Sequence, residues 1–246
     1  MLADIPGPNI ADSTISLIIP ARNEELHLPG CLAAIAAAER FAGITCEKIV
    51  VLNRCTDNTE LVAKQHGCLI VHEEAKNLSK IRNAGVRAAG GAWIVTIDAD
   101  SRMSERALSE ICRLLSDEKI IGGGCMILPE RYSLGIILTA CVLLPFILFE
   151  RLSGGMFWFR RADFELMHGF DEEFVSVEDI DFARRLKRLG RATKRKFTTI
   201  LRAWIVTSCR KFDRFGDWYF LINPTELLSI FKGRNQKLAD KVWYEF

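Results

Sequence analysis

VTIDAD, residues 95–100, joins an apolar run to two aspartates one alanine apart. Residues two apart on an extended chain point the same way, so Asp98 and Asp100 serve one site at the strand's end. Two carboxylates that close repel each other and shift in pKa unless a positive group neutralises them. A divalent ion is the natural solution, and Mg2+ or Mn2+ prefers oxygen ligands. Two aspartates are too few for a full cage, so phosphate oxygens are expected to complete the sphere. Taken alone, DAD fits an ordinary acidic surface loop equally well.

The chain upstream settles what kind of strand this is. ISLIIP (15–20), KIVVLN (48–53), CLIVHE (68–73) and AWIVTI (92–97) are apolar, strand-like runs. Between them lie a helical stretch at 24–41, whose first turn Pro29 and Gly30 should disturb, and a helix after Thr56 or Asp57 as N-cap. A third helix, 78–89, closes at Gly90-Gly91, and 104–115 follows VTIDAD with a start resembling a capping box at Ser104. Strands apolar throughout and separated by helices argue for a parallel sheet covered on both faces. The fold class is therefore α/β, a Rossmann-like, mostly parallel central sheet flanked by helices. Ligands of such sheets bind outside the carboxyl ends of the strands, where VTIDAD places its acids.

The second half is less regular. KIIGGGCMILP (119–129) reads as a strand whose glycines permit close backbone approach, and GGMFWFRR (154–161) as another. EDIDFARRLKRLG (178–190) is a helix ended by Gly190, with Ile180, Ala183, Leu186 and Leu189 forming an apolar face. LGIILTACVLLPFILF (134–149) holds 16 uncharged residues around Pro145, short of the roughly 20 needed to span a bilayer. It is a buried helix kinked at proline or a surface that dips into the membrane interface.

At 246 residues, 49% hydrophobic and 26% charged, the chain is an ordered globular domain. Its charge is segregated: residues 1–183 carry 17 Lys+Arg against 26 Asp+Glu, whereas 184–214 carry 12 basic residues and one acidic. That block calls for an anionic partner or an acidic membrane surface. The eight cysteines include no CxxC pair and read as reduced cysteines of a cytosolic protein. The first residues, MLADIPGPNIADST, lack the basic and apolar regions of a signal peptide.

Four stretches together resemble the family-2 glycosyltransferases, nucleotide-sugar enzymes of the GT-A fold. IIPARNEE (18–25) looks like their opening nucleotide-binding turn and NRCTDNT (53–59) like the end of their second strand. KIRNAGVRAAGGAWIVTIDADS (80–101) looks like the approach to their DXD metal motif, and HGFDEEFVSVEDIDFARRLKRLG (168–190) like their acceptor-side segment. The resemblance implies a single GT-A domain over 1–246, with a nucleotide-sugar half (13–130), an acceptor-side extension (131–215) and a helical C-terminal tail (216–246). It also implies metal-dependent, inverting transfer of a sugar from a UDP or GDP sugar to a hydroxyl acceptor: a sugar, a glycan, a lipid-linked or a small molecule.

By the same resemblance Pro20, Arg22 and Glu24 line the nucleotide pocket and Asn53 contacts the nucleoside. Leu52 stands where the family often has aspartate and Arg54 where glycine is frequent, which leaves UDP and GDP both open. Separately, His168 occupies a place usually held by glycine in the family's GGFDE-like run. Arg82 would face the nucleotide or its pyrophosphate. Asp98 would contact ribose or a metal-bound water, Asp100 would bind Mn2+ or Mg2+ directly, and Arg210 with Lys211 would close over the diphosphate. Asp179 matches the catalytic base, and Glu178 orients it or the acceptor; read without the motif, both are helix-start acids favoured by the macrodipole. Trp158 either stacks on a ligand or packs in the core, and Asp57 reads as a helix cap. A QxxRW-like signature is absent, which favours single transfer over polymer synthesis.

The 134–149 segment, with the basic block, could hold a lipid acceptor at an anionic bilayer face, making the protein cytoplasmic and peripheral to the membrane. A soluble acceptor, with that segment in the core or a homodimer interface, is the alternative. Nucleotidyl transfer to sugar phosphates is a competing chemistry, but PARNEE replaces the glycine-rich basic loop it needs. A catalytically inactive nucleotide-sugar-binding protein is another alternative. The acidic motif at the sheet end argues against a nucleic-acid partner.

Overall fold

The computed structural model describes residues 14–150, 155–226, 229, 233 and 235–240. The N-terminal stretch, Gly154 and part of the C-terminal tail lie outside them. The first half is built from β1 (Ile15–Ala21), α1 (Leu28–Ala42), β2 (Glu47–Leu52), α2 (Thr59–Gln65), β3 (Leu69–His72), α3 (Leu78–Ala88) and β4 (Trp93–Ile97). A short β5 (Ser101–Met103) and α4 (Ala107–Leu115) follow, then β6 (Ile120–Pro129), α5 (Leu134–Glu150) and β7 (Met156–Arg160). The remainder comprises α6 (Arg161–Leu166), α7 (Glu178–Ala192), β8 (Lys196–Thr207), α8 (Arg210–Phe215) and α9 (Tyr219–Ile222), with a further helical turn at Gln236–Ala239.

All eight strands form one sheet in the order β3-β2-β1-β4-β7-β6-β8-β5. The strands β3, β2, β1 and β4 are parallel, as their uniformly apolar character requires. Ile15, Leu17 and Ile19 of β1 pack with Leu28, Leu32 and Ile35 of α1 and Leu108 and Ile111 of α4. Ile18 joins the opposite layer, formed by Ile81 and Val86 of α3 and Phe182 and Leu186 of α7. Both faces are therefore core, and burial stabilises them by roughly 25 cal/mol per Å2 of apolar surface.

The sheet is mixed beyond β4 yet mostly parallel, as expected: six of its eight strands run one way, and β7 and β5 run against them. Strand β7 runs antiparallel to both β4 and β6, while β8 lies parallel to β6 and antiparallel to β5. Strand β8 went unread because its exposed face carries Lys196 and Arg202 within a basic stretch. Helix α1 starts at Leu28, later than expected, with its proline in the first turn, where a missing N–H costs nothing. Helix α4 starts at Ala107 without a side-chain cap, because the Ser104 hydroxyl accepts from the Trp204 N–H instead. Helix α7 runs through Gly190 to Ala192. A Cβ at Gly190 would stand 2.7 Å from the Arg195 carbonyl oxygen, so this glycine serves packing rather than termination.

Helix α5 is a single helix through Pro145, and of the two settings left open for it the fully buried one does not hold. Ile136 and Thr139 are buried, but Leu134, Ile137, Leu138, Val142 and Leu144 face outward. Among the described residues no helix is long and apolar enough to cross a membrane.

The glycines of β6 are explained by its neighbours. Gly122, Gly123 and Gly124 lie opposite Phe159, Trp158 and Phe157 of β7, all buried. Trp158 is core: its indole N–H donates to the Gly124 carbonyl at 3.1 Å. A Cβ on Gly123 would sit 1.6 Å from the Thr198 carbonyl oxygen of β8 and 2.7 Å from the Trp158 ring. Gly123→Ala should therefore cost at least about 2 kcal/mol of stability, read as a lower midpoint in urea unfolding.

Candidate functional site

The carboxyl ends of β1, β2 and β4 open into a cavity of about 340 Å3, also lined by α3, α7 and α8. Pro20, Arg22, Glu24, Asn53, Arg82, Asp98, Asp100, Glu178, Asp179 and Arg210 all line it. Every site residue expected from the sequence thus meets in one place, although the first and last are separated by most of the chain.

The turn after β1 is pinned to the turn before α2. Asn23 has φ 51°, a left-handed conformation that asparagine tolerates, and its Oδ1 accepts from the Thr56 N–H at 2.8 Å. The Glu24 and Glu25 amides donate to Thr59 Oγ1 and Asp57 Oδ2. Asp57 also accepts from the Thr59 N–H, so it organises these turns. Arg54 and His168 have φ 52° and 59°, which explains why glycine suits both positions.

Asn53 is buried, and its amide is oriented by the backbone. Its Nδ2 donates to the Glu73 and Ala75 carbonyls, which leaves Oδ1 as a buried acceptor at the cavity. Among the described residues that oxygen has no hydrogen-bond partner.

Asp98 and Asp100 stand past the end of β4, as the two-residue spacing requires. Each is met by a different cation. Asp98 Oδ1 accepts from Arg82 Nη2 at 2.9 Å, and Asp100 Oδ2 lies 3.3 Å from Arg210 Nη2. The same Arg210 nitrogen lies 2.7 Å from Glu24 Oε1. Burial pushes the Glu24 carboxyl up to about 7, with Arg210 opposing and the two aspartates adding to the rise. Asp100 is also raised by burial, against the pull of Arg210. Burial lowers Lys211, which faces Asp100.

On the far wall, Glu178 and Asp179 open α7, where the helix dipole favours acids. The preceding Val177 has φ 53°, an uncommon state for a β-branched residue and a cost borne at the site itself. Asp181 turns away and pairs with Arg185 at 2.6 Å. Burial pushes Glu178 up to about 7 and raises Asp179, with Arg82 opposing both shifts. One guanidinium faces three carboxylates here, so retention of a proton by the group is expected.

The residues that sequence reading missed are those that deliver these groups. Strand β8 pairs Thr207 with Ser101, just after DAD, and the Ser208 amide donates to the Asp100 carbonyl. That pairing carries Arg210 and Lys211 to Asp98 and Asp100. Asn83 of α3 holds both the N–H and the carbonyl of Phe170, and Asn77 donates to the Glu172 and Phe174 carbonyls. Part of the basic block is consumed internally: Arg195 pairs with Asp163, Arg185 with Asp181 and Arg210 with Glu24.

A hard divalent ion suits the oxygens present. Among the described residues no three His, Cys, Asp or Glu side chains form a metal cage alone. Asp100 and the buried Oε2 of Glu24, which has no hydrogen-bond partner among the described residues, supply oxygen donors. A diphosphate would have to supply the rest.

Residues 16–131 match the family model for Glycosyl transferase family 2. An uncharacterized glycosyltransferase of Mycobacterium tuberculosis is 35% identical over 102 residues, covering 42% of this chain and 44% of that protein. The chain therefore spans less than half the length of the curated relatives it matches first. Among solved structures, S. aureus TarS 1-349 in complex with UDP-GlcNAc aligns with a TM-score of 0.63 at 15% identity, covering 95% of this chain and 71% of that one. Glucosyl-3-phosphoglycerate synthase from M. tuberculosis, with Mn2+, UDP and glucosyl-3-phosphoglycerate, aligns with a TM-score of 0.59 at 21% identity, covering 92% of this chain and 85% of that one. Residues 16–131 are thus similar to the family-2 glycosyltransferases, and the chain as a whole shares the GT-A fold of these solved transferases.

Proposed function

We propose that the protein transfers a sugar from a nucleoside-diphosphate sugar to a hydroxyl acceptor, with a divalent metal and inversion at the anomeric carbon. The observation that carries this reading is the meeting of two carboxylate pairs, Asp98/Asp100 and Glu178/Asp179, across one cavity floored by Arg82 and Arg210. Mn2+ or Mg2+, held by Asp100 with Asp98 beside it, would supply charge stabilisation for the departing diphosphate. Arg210 and Lys211 exchange their carboxylate partners for diphosphate oxygens and stabilise the charge that builds there. Asp179 accepts the acceptor's hydroxyl proton as its oxygen bonds the anomeric carbon and the bond to diphosphate breaks. Glu178 holds the acceptor-side wall. Nucleotidyl transfer gains no support, because the turn after β1 is pinned by side chains and presents no glycine-rich phosphate loop.

Asp179→Asn should bind donor as the native protein does yet lose transfer by on the order of 10³-fold. Retained turnover would remove Asp179 as the base. In the native protein a base raised towards neutrality is ionised only above its pKa. Transfer should thus rise by up to about tenfold per pH unit through a range above that of an ordinary aspartate, and level once Asp179 is ionised. The groups facing that pair are Arg82 of α3, Asp98 after β4 and Lys211 of α8.

The donor base is read by Asn53. Its fixed carbonyl oxygen accepts a hydrogen bond, which suits the ring N–H of uracil or guanine. A base placed in that same position with the bare ring nitrogen of cytosine or adenine would meet it lone pair to lone pair, and would have to shift to bring its amino group to the oxygen. Thermal-shift titration with Mn2+ should show UDP or GDP stabilising the protein and CDP and ADP failing to do so. Equal stabilisation by ADP would overturn this reading. Asp100→Ala should abolish the metal-dependent part of the shift.

The acceptor, in this reading, carries a lipid, and the protein works peripherally at a membrane face. Helix α5 leaves β6 at the cavity end of the sheet, anchored to α8 by the Arg131–Asp213 pair, and presents its apolar side chains outward. The basic residues contribute less than the sequence implied. Lys196 pairs with Ile120 at the opposite end of β6, away from α5. Sedimentation with neutral vesicles should therefore match that with anionic vesicles, and Ile137→Glu/Val142→Glu should abolish both. Absence of vesicle binding, with a dimer that the same double variant splits, would assign α5 to a subunit interface instead.

A further inference from the structure

Arg82 stands between the two halves of the site rather than facing the donor with a free guanidinium. It is 3% exposed; one terminal nitrogen donates to Asp98 and the other to Glu178 Oε1. Its guanidinium carbon lies 5.6 Å from the centroid of the buried Phe170 ring. Phe170 itself is held to the same helix by Asn83. Residues 170–177, which lead into Glu178, have no regular secondary structure and end at the strained Val177.

We propose that Arg82 is a positioning residue that fixes Glu178, and through it Asp179 at the next position, relative to Asp98. The inference rests on the sugar-transfer reading above, but the clamp itself has a readout that needs no turnover. A planar fork can bind two carboxylates at once in set directions, whereas a lysine ammonium supplies charge without that geometry. A rigid α3 thereby sets the distance between the donor carboxylates and the base. Misplacement of a reacting group by about 1 Å is enough to cost on the order of 100-fold in rate.

Arg82→Lys, which keeps the charge, is the first test. Its kcat should fall about 100-fold while the donor KM stays within about threefold of native. The stabilisation by UDP or GDP with Mn2+ should be unchanged. Amide hydrogen exchange over residues 174–180 should quicken by about tenfold, with exchange in β1 and β4 unaltered. Loss of nucleotide stabilisation would make Arg82 a direct donor contact and overturn the proposal; so would unchanged kcat or unchanged exchange. The exchange measurement stands even for a protein that transfers no sugar, so failure of the reading above is distinguished from failure of the clamp. Should Arg82→Lys not fold, Arg82→Met/Glu178→Met removes both buried charges together and should give the same faster exchange with donor stabilisation retained.

Discussion

A single buried guanidinium must satisfy carboxylates from both sides of the cavity, and the site is arranged around that constraint. Arg82 meets Asp98 at the end of β4 and Glu178 at the start of α7, with Asp179 close enough to act on its charge. A buried ion pair is weak evidence for stability, since desolvation offsets most of the attraction. Its worth lies in register. With Asn77 and Asn83 holding the 170–174 backbone from the same helix, α3 acts as the template on which the segment leading to Glu178 and Asp179 is laid.

The sheet supplies the complementary half of the arrangement. Inserting β7 antiparallel between β4 and β6 widens the sheet past the point where the strand order reverses beside β4. It also allows β8 to run parallel to β6 and finish beside β5, immediately after the metal motif. The chain then turns into α8 with Arg210 already at Asp100. Close strand approach is needed for this, which is why glycines occupy three consecutive positions of β6. The basic character of the C-terminal half is thus partly a consequence of topology: some of its cations are partners for acids placed a hundred residues earlier.

Legibility in the sequence followed periodicity. Strands β1 and β4 are buried along their whole length and β2 over its last four residues, and the uninterrupted apolar runs announce them and the edge strand β3. Strand β8 alternates buried Ala203 and Ile205 with exposed Arg202 and Trp204, a pattern hidden in a basic stretch. The sequence left the setting of helix α5 open, because apolar composition says that a segment avoids water without saying what covers it. The site residues were legible as residue types at strand and helix ends, and all of them line the cavity. Their partnerships were not, because Arg82 to Glu178 spans 96 positions and no local spacing encodes it. Arg54 and His168 show the converse. Each looked like a departure from a glycine-bearing pattern, yet each sits in the left-handed backbone state that makes glycine common there.

The charge balance of the cavity explains why a metal belongs to the proposed chemistry. Glu24, Asp98, Asp100, Glu178 and Asp179 line it, against Arg22, Arg82, Arg210 and Lys211. The acids therefore match or exceed the bases before any ligand enters, and Arg82 and Arg210 are already engaged by carboxylates. A diphosphate arriving alone would add negative charge to a space of low dielectric, where repulsion is poorly screened. A divalent cation held by Asp100 would offset the charge of an entering diphosphate, and Arg210, now shared between Glu24 and Asp100, would be available to the phosphate oxygens. The elevated pKa of Glu24, raised by burial and by both aspartates, records the same excess of acid from the protein's side.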